Sequence, residues 1–246
     1  MNDISKLILF EDNHLIVALK PPRMLTQGDA TGDADLLSLL KAYVKEKYNK
    51  PGDAYLGLVH RMDRPVGGLL VFARTSKAAA RLSEQIRDNT LAREYVLVCE
   101  GKTPARFTLK DYLVKDRESN TVRVLPQYLK LQGKEAVLFG HTVSFSEEKS
   151  LVTVRLQTGR AHQIRAQMAH FGHPLLGDAR YNKDAKGGLI ALWGMRLAFN
   201  HPITKKAMVF VCAPGRMPGG YPHSAHFDTY QRDLDGLERI WPDIAP

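Results

Sequence analysis

Leu58-Val59-His60-Arg61-Met62-Asp63-Arg64-Pro65-Val66-Gly67-Gly68-Leu69-Leu70-Val71-Phe72-Ala73 carries two signals in sixteen residues. The part from Gly68 to Ala73 is a short apolar run suited to a buried strand. The part before it sets one carboxylate among three cationic or potentially cationic side chains. A proline there fixes the backbone, and the glycines admit unusual dihedrals or close approach by a ligand. Such a loop can hold an ionised Asp63 in a recess if a cation offsets its desolvation. The same spacing also fits a surface loop with local ion pairs. A metal reading of His60 and Asp63 is poor, because no second ligand pair stands nearby.

Outward from that stretch, the pattern alternates short strands with few helices. Leu7-Ile8-Leu9-Phe10 and Leu15-Ile16-Val17-Ala18-Leu19 flank Glu11-Asp12-Asn13-His14 and read as a β-hairpin. Asp33 or Asp35 caps a helix to residue 48, with Leu36, Leu37, Leu40, Tyr43 and Val44 on one face. Thr75 or Ser76 caps another to residue 87, packed through Ala79, Leu82 and Ile86. Strands are expected at residues 94–99, 107–114, 121–125, 135–145, 151–156, 189–199 and 207–212, with a polar turn at 146–150. A helix over 161–171 presents Ala161, Ile164, Met168 and Phe171, and Gly172 stops it. The expectation is an α+β domain with a large, mainly antiparallel sheet, spanning residues 1–215.

Composition bounds the function. The chain has 246 residues, 35 Lys and Arg against 26 Asp and Glu, and a net charge of +9. With 44% hydrophobic residues it is globular rather than disordered. Cys99 and Cys212, far apart in apolar runs, read as buried free thiols of a reducing compartment and exclude a disulfide scaffold. No secretory signal and no membrane-length apolar run is visible, so a soluble cytoplasmic protein is expected. The positive charge lies in the body: residues 60–110 hold ten basic and five acidic residues, while 216–246 form an extension with net charge −2. A basic excess suggests a polyanionic partner but does not identify it.

A second segment with chemical potential is Gln157-Thr158-Gly159-Arg160-Ala161-His162-Gln163-Ile164-Arg165, followed by Gly172-His173-Pro174-Leu175-Leu176-Gly177-Asp178. Arg160, Gln163 and a helix start offer donors for phosphate or another anion, with Arg165 approaching from the helix. A capped amphipathic helix with exposed arginines is the plainer reading. No P-loop, dinucleotide fingerprint, nucleophile elbow or zinc cluster is present.

Taken together, these segments resemble the RluA-type pseudouridine synthases. That family's signature, approximately H-R-L-D-x-x-T-S-G-L-L-[LV]-F-A-[KR], stands here from His60 to Arg74. Its T-G-R-x-H-Q-I-R and G-H-P-[IL]-x-G-D elements are similar to residues 158–165 and 172–178, with Tyr181 following. Arg93-Glu94-Tyr95 matches its basic-x-Tyr strand, and Glu11-Asp12 through Lys20-Pro21 its opening hairpin. Departures are Met62 for leucine, Val66-Gly67 for Thr-Ser, and Leu192-Trp193-Gly194 where Leu-His-Ala is frequent. Nothing resembling an N-terminal RNA-binding domain precedes the hairpin, so a catalytic domain alone, acting as a monomer, is expected.

The resemblance implies a pseudouridine synthase catalytic fold: a bent, mainly antiparallel sheet flanked by helices and loops, with a central active-site cleft. It implies isomerisation of uridines in ribosomal or transfer RNA, without nucleotide cofactor, metal or membrane. Asp63 becomes the catalytic carboxylate, attacking ribose or base or promoting elimination. Arg165 becomes the ion-pair partner that keeps Asp63 charged, and Tyr95 packs against the target base. Arg61 fills the gap left by the extruded uridine, while Arg64, Arg160, His162 and Gln163 contact RNA. A non-catalytic RNA-binding relative would have altered Asp63, Tyr95 or Arg165, and all three are present. A metal-dependent nuclease would need a carboxylate cluster that is missing.

Overall fold

Apolar runs become strands, and side-chain oxygens start the first two α-helices. In the structure, a computed structural model describing residues 3–116, 118–185, 187–218 and 220–244, the chain opens with β1 (Ile8–Glu11) and β2 (Leu15–Lys20). Helix α1 (Leu36–Lys47) starts where the Asp35 carboxylate accepts the Ser38 N–H. After β3 (Gly57–Leu58) and β4 (Gly67–Ala73), α2 (Ser76–Arg87) starts under the Thr75 hydroxyl, which accepts the Ala78 N–H. Then come β5 (Ala92–Glu100), β6 (Arg106–Asp116), β7 (Thr121–Leu125), β8 (Lys134–Ser146), β9 (Lys149–Leu156) and α3 (Gln163–His170). Strands β10 (Leu192–Asn200) and β11 (Ala207–Val211) and helix α4 (Gln231–Arg239) complete the order. The expected α+β class and antiparallel pairing hold.

The contacts divide the chain into two compact units, Met1–Ala92 with Gly194–Pro222, and Arg93–Trp193 with His223–Pro246. The expected boundary at residue 215 falls within the first unit's closing segment, and α4 packs in the second. In the first unit the strand order is β1-β2-β4-β10, with β3 on β4 and β11 on β10. Strand β2 is buried at every position, and β4 likewise. Gly68, at φ +131°, lies so close to the backbone of Gly194 that a Cβ there would sit 2.4 Å from its carbonyl oxygen. The close approach that the glycine permits is therefore to a neighbouring strand.

The second unit orders its strands β5-β9-β8-β6-β7, all paired antiparallel. A core of Leu113, Val122, Ala136 and Ala166 joins α3 to β6, β7 and β8. The β8–β9 connection is tighter than the expected 146–150 turn: Ser146 pairs with Lys149 across Glu147 and Glu148, both at positive φ. Helix α2 buries Ala78 with Leu82, one position from the expected Ala79. The larger correction concerns α3. It begins at Gln163, because His162 adopts a left-handed conformation (φ 50°, ψ 21°), and it is buried from Gln163 to Met168. It is no amphipathic surface helix.

Candidate active site

Asp63 sits half-buried on the loop leading to β4, with Arg61 and Arg64 exposed on either side. The loop is held from several directions within the first unit. The Asp63 carbonyl accepts the Val66 N–H at 3.0 Å, closing a turn. The Thr26 hydroxyl meets both the N–H and the carbonyl of Met62, at 3.2 and 2.9 Å. His60 Nε2 accepts the Val71 N–H at 3.1 Å, so His60 orders the loop against β4. Arg64 donates through Nε to the Arg23 carbonyl and pairs with Asp33 at 2.6 Å.

Lys20, to which the motif resemblance assigns no role, holds a central one in the structure. This wholly buried side chain ends β2. Its ammonium donates to the carbonyls of Pro21 (3.0 Å), Met24 (2.7 Å) and Arg64 (3.1 Å). Three donors meet three acceptors, one of them in the residue after Asp63. Burial pushes its pKa from 10.5 down to about 7; the Asp63 charge opposes the shift and the Arg64 charge adds to it. The visible signal is a lysine closing an otherwise apolar strand.

The second unit carries the other candidates. Tyr95 is buried on β5. Arg165 is 5% exposed on α3 and is gripped bidentately by Asp178, Nε to Oδ2 at 2.8 Å and Nη2 to Oδ1 at 2.7 Å. Its guanidinium lies 5.1 Å from the centre of the Tyr181 ring. The Tyr181 hydroxyl accepts the Val122 N–H and stands 2.8 Å from His162 Nδ1. Gln163 is buried, its Oε1 accepting from Thr158 Oγ1 and the Arg160 N–H, its Nε2 donating to the Val137 carbonyl. Its amide is spent on shaping the loop before α3. Arg160 stays exposed, with Nε donating to the Glu135 carbonyl at 2.8 Å. Asp178, to which the motif resemblance assigns no role, fixes the orientation of Arg165.

Among the described residues, no group of three or more His, Cys, Asp or Glu side chains is placed to hold a metal ion. No described helix is long and apolar enough to cross a membrane. Cys99 and Cys212 are both buried thiols that form no disulfide.

A family model described as RNA pseudouridylate synthase matches residues 14–170 of this chain, a span that holds Asp63, Tyr95 and Arg165. The chain belongs to that family. It is 37% identical over 210 residues to the RNA pseudouridine synthase YhcT of Bacillus subtilis, covering 82% of this chain and 66% of the relative. To the ribosomal large subunit pseudouridine synthase D of Zymomonas mobilis it is 34% identical over 220 residues, covering 85% and 69%. The chain thus spans about two thirds of these relatives' own length. The solved human RNA pseudouridylate synthase domain containing 4 shares the fold, with TM-score 0.71, 18% identity and 94% of each chain covered. A second human protein, RNA pseudouridylate synthase domain containing 1, gives 0.66 at 17% identity over 96% of this chain and 98% of that one. Membership makes this chain an RNA pseudouridine synthase, an isomerase, as the motif resemblance implies.

Proposed function

We propose that this enzyme converts uridine to pseudouridine in large-subunit ribosomal RNA, with Asp63 as the reacting carboxylate. The observation that carries the reading is the mounting of Asp63. A half-exposed carboxylate stands on a loop fixed by Lys20, Thr26 and His60, so its position is set before any RNA arrives. The choice of ribosomal over transfer RNA follows the names of relatives such as the Zymomonas mobilis enzyme. In the reaction the bond from C1′ to N1 breaks, the uracil turns, and C1′ bonds to C5. The proton on C5 leaves, and N1 gains one. An anionic carboxylate suits that sequence either as nucleophile or as the group that promotes elimination.

Tyr95 and Arg165 are assigned to the same reaction by the motif positions they occupy, Arg165 on the rigid mount of Asp178. Exposed Arg61 is assigned the space that an extruded uridine leaves in the RNA stack, an extrusion costing a few kcal/mol. Arg64, Arg160 and His162 are the proposed phosphate and loop contacts, and Gln163 braces the loop that carries Arg160 and His162. The proposed setting is the cytoplasm, where thiols such as Cys99 and Cys212, which form no disulfide, stay reduced.

The test is pseudouridine mapping of an unmodified large-subunit ribosomal RNA transcript after incubation with wild type and Asp63→Asn. Wild type should introduce pseudouridine at discrete positions, while Asp63→Asn binds the transcript and introduces none. Turnover in Asp63→Asn at the wild-type rate would falsify the assignment.

A further inference from the structure

Arg93 is the second unit's unexplained cation. It is only 8% exposed, yet its Nε is buried without a hydrogen-bond partner. Among the described residues its guanidinium has neither an ion pair nor a hydrogen bond. A buried charge left in that state is costly, and buried arginines are ordinarily paired. Two features show where it points. It lies two residues from Tyr95 on β5, so both side chains leave the same face of that strand. Its Nη1 also reaches the loop after β9, where a Cβ on Gly159 would lie only 2.6 Å away. The missing side chain of Gly159, in the Thr158-Gly159-Arg160 turn, leaves room for the guanidinium.

Resting on the function proposed above, we infer that Arg93 is a binding residue for the RNA: its guanidinium takes a phosphodiester oxygen of the nucleotide that packs against Tyr95. A desolvated guanidinium presents a planar fork of donors, and an anionic oxygen supplies the acceptors that the protein withholds. Exposed Arg160, one residue from Gly159, supplies further positive charge for the same backbone. Burial also pulls the Arg93 pKa downward, the environment expected of a cation awaiting an anion, with the neighbouring Tyr95 pulling the other way. Such a residue trades stability of the free enzyme for affinity. A structural arginine would do the reverse.

That opposition supplies the test. The probe is an unmodified large-subunit ribosomal RNA transcript, its binding measured across a salt series, beside thermal unfolding of the free proteins. Arg93→Met should raise the melting temperature and weaken RNA binding between about ten- and a hundredfold. The slope of log affinity against log salt should become shallower by about 0.7 to 0.9, the value of one lost phosphate contact. Gly159→Ala keeps the charge but places a methyl against the guanidinium. Its backbone suits alanine, and it should weaken binding in the same direction. A lower melting temperature with unchanged affinity would make Arg93 structural and overturn the proposal. Weaker binding at an unchanged salt slope would mean an uncharged oxygen, such as a uracil carbonyl, and would overturn the phosphate assignment. The isomerase reading fails separately, by the absence of pseudouridine from RNA that wild type binds.

Discussion

Lys20 in the first unit and Arg93 in the second are both buried cations, and they are handled in opposite ways. Lys20 spends all three ammonium donors on carbonyls of its own unit, one of them in the loop that carries Asp63. Among the described residues the Arg93 Nε has no acceptor, and a glycine beside it makes room for its head. A saturated buried cation fixes backbone, whereas an unsaturated one is a donor site waiting for its oxygen. Arg165 stands between these extremes, its bidentate Asp178 contact orienting it while its planar group spans the Tyr181 ring. The difference lies in partners, since all three are almost fully buried.

The most damaging way to break this contrast is to take the Asp178 mount away from Arg165. Asp178→Ala removes a carboxylate that is 2% exposed and takes away the bidentate acceptor of Arg165. Removing one member of a buried pair costs about 3–5 kcal/mol. The expected result is a fall of that size in the urea-unfolding free energy, with pseudouridine formation lost well below the melting temperature. Asp178→Asn keeps one acceptor oxygen and should fall between. Equal stability of Asp178→Ala and wild type would show that the grip on Arg165 contributes little.

A smaller effect follows from removing the saturated cation. Lys20→Met keeps the length and apolar stem but leaves the Arg64 carbonyl without its ammonium, loosening the residue next to Asp63. Misplacement of a reacting group by an ångström costs up to about a hundredfold in rate. Single-turnover pseudouridine formation should therefore slow by about ten- to a hundredfold, while RNA affinity changes less than twofold. Lys20→Arg should rescue little, because a planar fork does not match three converging carbonyls. A variant that binds RNA more weakly but turns over normally would place Lys20 outside catalysis.

The two cations also mark how far the sequence could be read. The Asp63 loop, the Tyr95 strand and the Arg165 helix were legible because each motif is local, and so were the caps at Asp35 and Thr75. The roles of Lys20 and Asp178 were not. Both depend on contacts across a loop or between separated segments: Lys20 with Arg64, 44 residues away, and Asp178 with Arg165, 13 away. The α3 boundary failed for a different reason. Apolar spacing from Ala161 suggested a helix with one buried stripe, but a left-handed His162 starts it later and burial surrounds it. A periodicity rule assumes one wet face, and this helix has none over its first six residues. The Glu147-Glu148 turn likewise lacks the Asn-Gly chemistry by which such turns are recognised.

The subtlest consequence of the contrast is a slope in pH. Lys20 has an ordinary lysine pKa of 10.5 when unfolded and about 7 when folded. Between those values the unfolded chain holds a proton that the native state has released, so native stability rises with pH across that window. Below about pH 7 both states are protonated, and the full penalty of the buried charge is felt. The Asp63 and Arg64 charges, which face the ammonium, act in opposite directions on this shift. One group contributes at most about 1.4 kcal/mol per pH unit. Urea-unfolding free energies of wild type, minus those of Lys20→Met, should therefore climb between pH 7 and 9 and stay level from pH 5.5 to 6.5. Parallel curves over the whole range would mean that Lys20 keeps its proton in the fold, its three carbonyls outweighing its burial. The ammonium would then be a permanent strut for the Asp63 loop. A climbing difference would make it a strut that loses one of its three N–H donors as the solution turns alkaline, and single-turnover rates of wild type, but not of Lys20→Met, should then decline over the same interval.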